Sequence, residues 1–380
     1  MRKVKIDADR ILNLLRADPS SEELMKLLRA LPNFTHESVV NATSPNELEE
    51  FGQKTGIKKP MDESARSHGV LLQNRAYTTI CGERAYFLTG DLARLERALV
   101  TFTVERLKKL DFKIISVPDL ISADEVEACG MQPFGQRSQV YRVKLGKQRK
   151  LCLSGTAEIA LANLFRDKAF ENCELPLRLG AVSRCFRAEV SRLKEEKGLY
   201  RVHQFTKIEM FGFTEADLKA SQDLQGEFAE IEKSLFRELG LHYKVLDMPP
   251  IDLGRPAFRK IDIEAWMSGH NFYGEISSTS DCTDFQSSRL GITHQGKYVH
   301  TVNGTACAIP RMLLAIGETH STQDKICVPE VLRKYMDGRH TIRAQPMFKK
   351  WTKVPFYYLE NREVEAEDAI AGIDKLGESC

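Results

Sequence analysis

Charged and aromatic residues recur at strand-like spacing in the middle of the chain. Arg187 and Glu189 are two residues apart, so a β-strand would place both side chains on one face. Arg201, Phe205 and Glu209 follow at steps of four and would share one face of a second strand. Guanidinium groups bind phosphates, an aromatic ring stacks on a nucleobase, and a carboxylate binds an amine. The combination predicts a binding site for a nucleoside triphosphate.

Three further segments carry side chains of the same kind. Thr156-Ala-Glu158 would supply a hydroxyl and a carboxylate on one strand face. Glu275-Ile-Ser-Ser278 offers oxygen ligands of the type that Mg²⁺ prefers. Asn303-Gly-Thr305 leads through Pro310 to Arg311 at the predicted start of a helix, where a guanidinium could reach a phosphate. Each triplet is common in proteins, so only the combination is informative.

Composition excludes several classes of protein. The chain has 380 residues, of which 42% are hydrophobic and 28% charged, enough for a large core and two or three domains. The net charge of +2 argues against a globally basic nucleic-acid binder, and no apolar stretch is long enough to span a membrane. Nine cysteines without a CxxC pair predict reduced thiols and no zinc. Tyr298 follows Lys297 where a phosphate-binding loop needs Ser or Thr, which argues against that motif.

The first 32 residues predict two short helices broken at Asp18-Pro19, with Ser20 and Glu23 forming a capping box for the second helix. The simplest interpretation of this segment is a small pair of helices that docks onto the rest of the protein. Two longer helices are predicted further along the chain.

Apolar residues at helical spacing predict the first long helix over residues 90–110, leading into a strand over 113–118. A second helix is opened by Thr214 and Asp217 and ends at Gly240. Alternating β-type runs predict strands over residues 182–189, 201–213, 272–278 and 298–303. Because these strands are grouped rather than alternating with helices, the sequence predicts an α+β fold with an antiparallel sheet flanked by helices.

In this order, the segments resemble the three signature motifs of class II aminoacyl-tRNA synthetases, and specifically those of the seryl-tRNA synthetase family. Motif 1 resembles the helix and strand that end at Pro118. Motif 2 resembles the segment from Phe186 to Glu209, and motif 3 the segment from Asn303 to Arg311.

Several other segments are similar to parts of that family that carry serine specificity or follow its N-terminal arm. They are Thr156–Glu158, Tyr273–Ser278, Cys282–Gln286 and Leu31–His36. The stretches Asp262–Met267 and Ala306–Arg311 are most similar to the animal mitochondrial branch. The resemblance therefore implies a mitochondrial matrix enzyme, although no transit peptide is visible in this chain.

The resemblance implies a ligand for each matching residue. Serine is expected to bind Thr156, Ala157, Glu158, Glu209, Asn303 and Thr305. ATP is expected to bind Arg187, Ala188, Glu189, Arg201, Val202, Phe205, Glu275, Ile276, Ser277, Ser278 and Arg311.

Particular roles are implied within this second set. Arg187 would bind the α-phosphate as the catalytic residue, and Glu189 with the Val202 backbone would bind adenine. Phe205 and Arg311 would enclose the purine, with Arg201 and Arg311 near the outer phosphates. Glu275 and Ser278 would coordinate Mg²⁺. The implied reaction forms seryl-adenylate and transfers serine to the 3′ end of tRNA(Ser).

The resemblance also predicts a domain organisation. Residues 1–32 would be a shortened N-terminal helical arm, residues 33–335 the catalytic domain, and residues 336–380 a C-terminal tail. Motifs 1, 2 and 3 would occupy about 90–118, 184–209 and 303–318. The motif 1 region is expected to form a homodimer, or a heterodimer with a synthetase-like paralogue. No membrane association is expected.

Two departures from the family leave the function open. The motif 2 loop over residues 190–197 lacks the family's usual glycines, and the arm is too short for a long reach along the tRNA. Basic residues of that loop (Arg192, Lys194 and Lys197) and of the tail (Lys349, Lys350 and Lys353) are expected to contact tRNA phosphates instead. The alternatives are a catalytically inactive paralogue acting as a binding or regulatory subunit, and a ligase that charges a carrier protein.

Overall fold

The computed structural model describes residues 7–56, 70–72, 84–88, 90–134, 138–145, 149–190, 198–322 and 325–343. The chain divides into two compact units, residues 1–345 and 346–380, and every described residue lies in the first. Within the described ranges no helix combines the length and the apolar character that crossing a bilayer requires.

Two short helices occupy the start of the described chain. Helix α1 spans Ala8–Ala17 and α2 spans Glu22–Arg29, so the predicted break at Asp18-Pro19 is confirmed. The predicted cap is wrong by one residue, because the Ser21 side chain accepts the hydrogen bond from the Leu24 backbone. Ser20 instead donates its hydroxyl to the Asp18 carboxylate at 2.7 Å.

A large sheet forms the centre of the fold. Its eight strands lie in the spatial order β1, β11, β12, β13, β16, β10, β9, β4, and every pair is antiparallel except β4 with β9. Their bounds are β1 Asn46–Phe51, β4 Lys113–Ile115, β9 Leu177–Phe186, β10 Gln204–Thr214, β11 Tyr243–Asp247, β12 Arg259–Met267, β13 Phe272–Thr283 and β16 His300–Ala308. The predicted α+β fold is confirmed.

The remaining strands pair in small sheets. They are β2 Val70–Leu72 with β3 Tyr86–Leu88, β5 Leu120–Ser122 with β7 Arg149–Leu153 and β6 Arg142–Leu145, β8 Ala169–Phe170 with β14 Thr293–His294 and β15 Lys297–Tyr298, and β17 Lys325–Cys327 with β18 Thr341–Arg343. Short α-helices span α4 Ala123–Ala128, α5 Ala157–Asn163 and α7 Phe285–Leu290. Single 3₁₀ turns or short 3₁₀ helices span Asn172–Glu174, Gly198–Tyr200, Pro250–Asp252 and Glu330–Met336.

Three long helices pack against the large sheet. Helix α3 spans Gly90–Lys109, α6 spans Leu218–Glu238 and α8 spans Ile309–Thr319. The predicted apolar stripe of α6 is buried against β10, β13 and β16, with Asp217 capping the first turn and Thr214 ending the preceding strand. Burial of this stripe fixes the sheet's rear face.

Gly304 allows α6 to lie unusually close to the centre of strand β16. A Cβ at this position would come within 2.8 Å of Glu232 Oε1 and 3.1 Å of Met210 Cε. Because side chains alternate along a strand, the two neighbours, Asn303 and Thr305, face the opposite side. The glycine therefore permits tight packing behind a pair of polar residues.

Strands β9 and β10 form the long hairpin that the sequence predicts, with Phe186 opposite Gln204. The predicted strand ends are wrong. Strand β9 ends at Phe186, so Arg187 and Glu189 lie beyond it, and Arg201 precedes the start of β10. The strand predicted for Thr156–Glu158 is also wrong, because Thr156 is the N-cap of helix α5.

Candidate active site

A cavity of about 470 Å³ lies over the sheet between β10, β13 and β16, a volume typical of small-ligand sites. Among its lining residues are all the side chains predicted to bind serine or ATP except Ala157 and Ala188. Ala157 is buried in the first turn of α5, and Ala188 donates its backbone N–H to the Gln139 carbonyl at 2.8 Å. The cavity gathers residues from segments more than 100 positions apart.

The floor of the cavity is built around the carboxylate of Glu209, which is 2% exposed. Thr156 donates its hydroxyl to Oε2 at 2.7 Å, and Thr305 donates to Oε1 at 3.0 Å. Lys207 Nζ lies 2.6 Å from Oε1 and 3.4 Å from the Thr156 hydroxyl. Hydroxyl and ammonium groups from three elements thus hold one buried carboxylate.

A second carboxylate, Glu158, lies on the same floor in the first turn of α5. Gln286 Nε2 donates to its Oε1 at 2.5 Å and Asn303 Nδ2 donates to the same atom at 3.0 Å. Thr301 in turn donates its hydroxyl to Gln286 Oε1 at 2.7 Å, which fixes the amide. Burial and the charge of Glu209 raise the pKa of Glu158 to about 7.

The opposite side of the cavity carries arginines on irregular backbone, and we call it the rim: Arg187, Glu189 and Arg201. Arg187 Nε donates to the Gly155 carbonyl at 3.3 Å, and its guanidinium carbon lies 5.4 Å from the centre of the Phe205 ring. Arg201 Nη1 lies 3.4 Å from Glu189 Oε2. These contacts are longer than those of the floor and leave the guanidinium groups half-buried.

Arg311 closes the third side of the cavity from the first turn of helix α8. Its Nη1 donates to the Glu275 backbone carbonyl at 2.8 Å and lies 3.2 Å from Glu275 Oε2. Its guanidinium carbon lies 4.5 Å from the centre of the Tyr200 ring. Although burial opposes ionisation, Arg311, Lys260 and Arg187 hold the pKa of Glu275 well below its usual range. Glu275 is therefore an anion.

A β-bulge brings Glu275 and Ser278 to the same face of β13. Ile263 of β12 pairs with Ser277 and the next residue, Glu264, pairs with Glu275, so Ile276 is the extra residue. Without the bulge, residues three apart would point to opposite faces. One anionic carboxylate and one hydroxyl fit Mg²⁺, which binds few protein oxygens and completes its shell with phosphates and water.

The sequence did not reveal a role for two side chains that contact the floor carboxylates. Lys207 lies two residues before Glu209 and shares its strand face, but the four-residue spacing of Arg201, Phe205 and Glu209 passes over it. Gln286 belongs to the segment Cys282–Gln286 noted above, and its hydrogen bond to Glu158 becomes evident only in the structure. Period-two spacing could have identified Lys207.

The basic residues expected to contact tRNA lie outside the described residues. They are Arg192, Lys194 and Lys197 of the motif 2 loop and Lys349, Lys350 and Lys353 of the tail. In the described part of the chain, seven cysteines are free thiols and no cluster of three or more His, Cys, Asp or Glu side chains is arranged to hold a metal ion.

Comparison with known proteins identifies the family. Residues 141–320 match the model of the tRNA synthetase class II core domain (G, H, P, S and T). The mitochondrial serine–tRNA ligase of Bos taurus is 41% identical over 361 residues, covering 92% of this chain and 68% of the relative. The mitochondrial serine–tRNA ligase of Mus musculus is 40% identical, covering 89% and 66%.

The fold supports the same relationship. The crystal structure of Pyrococcus horikoshii seryl-tRNA synthetase complexed with ATP is 29% identical and superposes with a TM-score of 0.78, covering 89% of this chain and 81% of that one. The chain thus spans about two thirds of the length of its mammalian relatives. The predicted family is confirmed: this chain belongs to the seryl-tRNA synthetases, class II aminoacyl-tRNA synthetases.

Proposed function

We propose that this chain is a serine–tRNA ligase that activates L-serine with ATP and transfers the seryl group to tRNA(Ser). One observation carries the proposal: a buried carboxylate, a partly buried carboxylate and three arginines line a single cavity. The carboxylates, Glu158 and Glu209, suit the ammonium and hydroxyl groups of serine. The arginines suit a triphosphate, since guanidinium groups bind phosphate oxygens in bidentate fashion.

The first step joins the two substrates. The serine carboxylate attacks the α-phosphorus of ATP, forming a phosphorus–oxygen bond while the bond to the β-phosphate breaks and pyrophosphate leaves. Arg187 binds the α-phosphate oxygens and stabilises the charge that develops on them. Positioning supplies much of the remaining acceleration, because the floor holds serine and the rim holds ATP in a fixed relation. No protein nucleophile is required.

The second step transfers the activated serine. A hydroxyl of the terminal tRNA adenosine attacks the carbonyl carbon of seryl-adenylate, an ester forms, and AMP leaves. The two mammalian relatives are named serine–tRNA ligases, which supports tRNA(Ser) as the acceptor. The basic residues of the motif 2 loop (Arg192, Lys194 and Lys197) and the lysines of the tail (Lys349, Lys350 and Lys353) remain the proposed phosphate contacts.

Binding of ATP also involves a metal ion in this proposal. Glu275 and Ser278 would hold Mg²⁺, which neutralises charge on the phosphates when bound. Phe205 and Arg311 are proposed to enclose the purine, and Glu189 with the Val202 backbone to bind its edge. The ATP complex of the Pyrococcus horikoshii enzyme supports ATP as the nucleotide.

We further propose a homodimer through the motif 1 region. Strand β4 is at the edge of the large sheet, and nearby Leu110 and Ile114 are 44% and 36% exposed. Among the described strands β4 pairs only with β9, and an edge strand with apolar side chains is a surface that proteins normally cover. The predicted division into arm, catalytic domain and tail is proposed with the same boundaries, and a mitochondrial location is supported by the mammalian relatives.

An assay in two stages tests the proposed function. We expect serine-dependent exchange of labelled pyrophosphate into ATP, followed by esterification of labelled serine to tRNA(Ser). Exchange without tRNA charging would support a ligase for a carrier protein instead. A folded protein that shows neither reaction would overturn the proposal and favour the noncatalytic paralogue.

A further inference from the structure

Lys207 is a charged group of the cavity floor to which the family resemblance assigns no role. It projects from β10 between Phe205 and Glu209 and is 7% exposed. Its ammonium lies 2.6 Å from Glu209 Oε1. A buried lysine loses the solvation of its charge, so its presence here requires an explanation beyond packing.

We propose that Lys207 is a positioning residue that neutralises Glu209 and thereby determines which end of serine each floor carboxylate receives. The proposal deepens the proposed function and rests on it. With Lys207 in place, Glu209 and Lys207 form a neutral pair, and the pair binds the uncharged serine hydroxyl. The serine ammonium is then directed to Glu158.

The surroundings of the two carboxylates differ in the way this division requires. Glu209 receives only hydroxyl and ammonium donors, from Thr156, Thr305 and Lys207. Glu158 receives two neutral amide donors, and no ion pair to it is found among the described residues. A cation is attracted more strongly to a carboxylate whose hydrogen-bond donors are neutral than to one already paired with an ammonium at 2.6 Å. Among the two floor carboxylates that position is Glu158.

The Thr156 hydroxyl links the arrangement together. It donates to Glu209 and lies 3.4 Å from Lys207 Nζ, while its oxygen also caps the Glu158 backbone N–H at 3.4 Å. Lys207 therefore fixes both the charge of Glu209 and the orientation of the residue that begins α5. Loss of the ammonium leaves two neighbouring carboxylates on the floor without the cation between them.

Charge counting gives a specific expectation for an amino acid that carries an ammonium in place of the hydroxyl. This compound, 2,3-diaminopropionate, tests the sign of the charge at the Glu209 end of the floor. In the wild type that end is neutral and disfavours a second cation. Lys207→Met makes it negative, Glu209→Gln makes it positive, and the double variant is neutral again.

The experiment measures kcat/KM for pyrophosphate exchange with serine and with 2,3-diaminopropionate at one pH close to the Glu158 pKa of about 7, with the analogue's concentration expressed as its doubly protonated fraction. We expect Lys207→Met to lose on the order of 10- to 100-fold for serine and to shift the preference toward the analogue by about tenfold or more. Lys207→Arg should keep the wild-type preference. The double variant Lys207→Met/Glu209→Gln should return toward that preference although it lacks both charges.

Lys233→Met is the matched control. It removes a half-buried lysine that pairs with Glu49 at 2.8 Å outside the cavity, and its amino-acid preference should equal that of the wild type. An unchanged preference in Lys207→Met, with wild-type exchange intact, would overturn the role of Lys207 alone. A wild type without serine-dependent exchange would overturn the proposed function and this role with it. If Lys207→Met does not fold, Glu209→Gln decides, because it leaves the Lys207 ammonium without its anion and should shift the preference away from the analogue; an unchanged preference would overturn the role of Lys207.

Discussion

The floor and the rim of the cavity are built in different ways. On the floor, the side chains of Thr156, Thr305 and Lys207 converge on one carboxylate with contacts as short as 2.6 Å, and they come from a helix cap and two paired strands. On the rim, Arg187 and Arg201 follow or precede strands and make contacts of 3.3 to 3.4 Å. The floor is preorganised by the sheet, whereas the rim guanidinium groups are held by longer contacts and are proposed to tighten on a phosphate.

We infer from this difference that the floor serves recognition of the amino acid and the rim serves the reaction with ATP. A preorganised floor loses little freedom when the amino acid binds, so it serves selectivity. If the rim arginines bind the phosphates as proposed, they gain their best partners as charge develops there, and we expect them to serve the rate. Substitutions on the two sides should therefore change different kinetic constants.

The largest effect is expected on the rim. Arg187→Ala should lower kcat for serine-dependent pyrophosphate exchange by on the order of 10²- to 10³-fold, because it removes the guanidinium proposed to bind the α-phosphate. The KM for serine should change much less, since the floor is intact. Steady-state exchange kinetics measure both constants, and circular dichroism checks the fold. Wild-type kcat in this variant would remove Arg187 from the reaction.

A smaller effect, on the floor, depends on pH. The pKa of Glu158 is about 7, raised by burial and by Glu209, so below this pH the carboxyl is increasingly neutral and cannot attract the serine ammonium. Lys207 and Arg187 act in the opposite direction, and Gln286 stabilises the anion. We expect kcat/KM for serine to rise with pH up to about 7 and then level off. Glu158→Gln should lower kcat/KM and abolish this rise.

The profile of Arg187→Ala should keep this rise at a lower rate and shift it to higher pH, because the charge of Arg187 lowers the pKa of Glu158. A Glu158→Gln profile with the same rise would mean that another group titrates. Measurement of kcat/KM between pH 6 and 9, bracketing the Glu158 pKa of about 7, distinguishes the two.

The smallest effect on activity is expected behind the floor. Glu232 of α6 is fully buried, accepts a hydrogen bond from Thr279 at 2.7 Å, and has a pKa raised to about 8 by burial. The folded protein therefore keeps a proton that the unfolded chain releases above its usual pKa of 4.5. Stability from this group is present below pH 4.5 and is lost as pH rises through about 8.

Glu232→Gln removes this titration and should raise the melting temperature at pH 9 by on the order of several degrees relative to its effect at pH 5. Serine-dependent exchange should be unchanged, because Glu232 does not line the cavity. Thermal unfolding at the two pH values measures the first expectation. An equal shift at both values would mean that Glu232 does not titrate in this range.

The regular elements could be predicted from the sequence because their signals are local. The stripe of Phe228, Ile231 and Leu235 defines a helix by its spacing alone, and Asp217 marks its start. The hairpin of β9 and β10 follows from two alternating runs joined by a polar segment. The family resemblance placed most of the predicted side chains in one cavity.

The remaining features of the site depend on contacts between distant residues, which the spacing of residue types along the sequence does not specify. Arg187 lies outside its predicted strand because Phe186 is the last residue of β9 paired with β10, and Thr156 caps a helix where a strand was predicted. The bulge at Ile276 depends on the pairing of β13 with β12. The proposed role of Lys207 depends on the fold, which places the Thr156 hydroxyl 3.4 Å from its ammonium.

We propose that the floor of the cavity binds the side chain of serine through Glu209. Pyrophosphate exchange by the wild type with serine and with alanine tests this most directly, because alanine differs only in lacking the hydroxyl. We expect alanine to be poorer than serine by about 10²-fold or more in kcat/KM, since its methyl group would leave buried polar groups without a partner. Equal exchange with the two amino acids would contradict it.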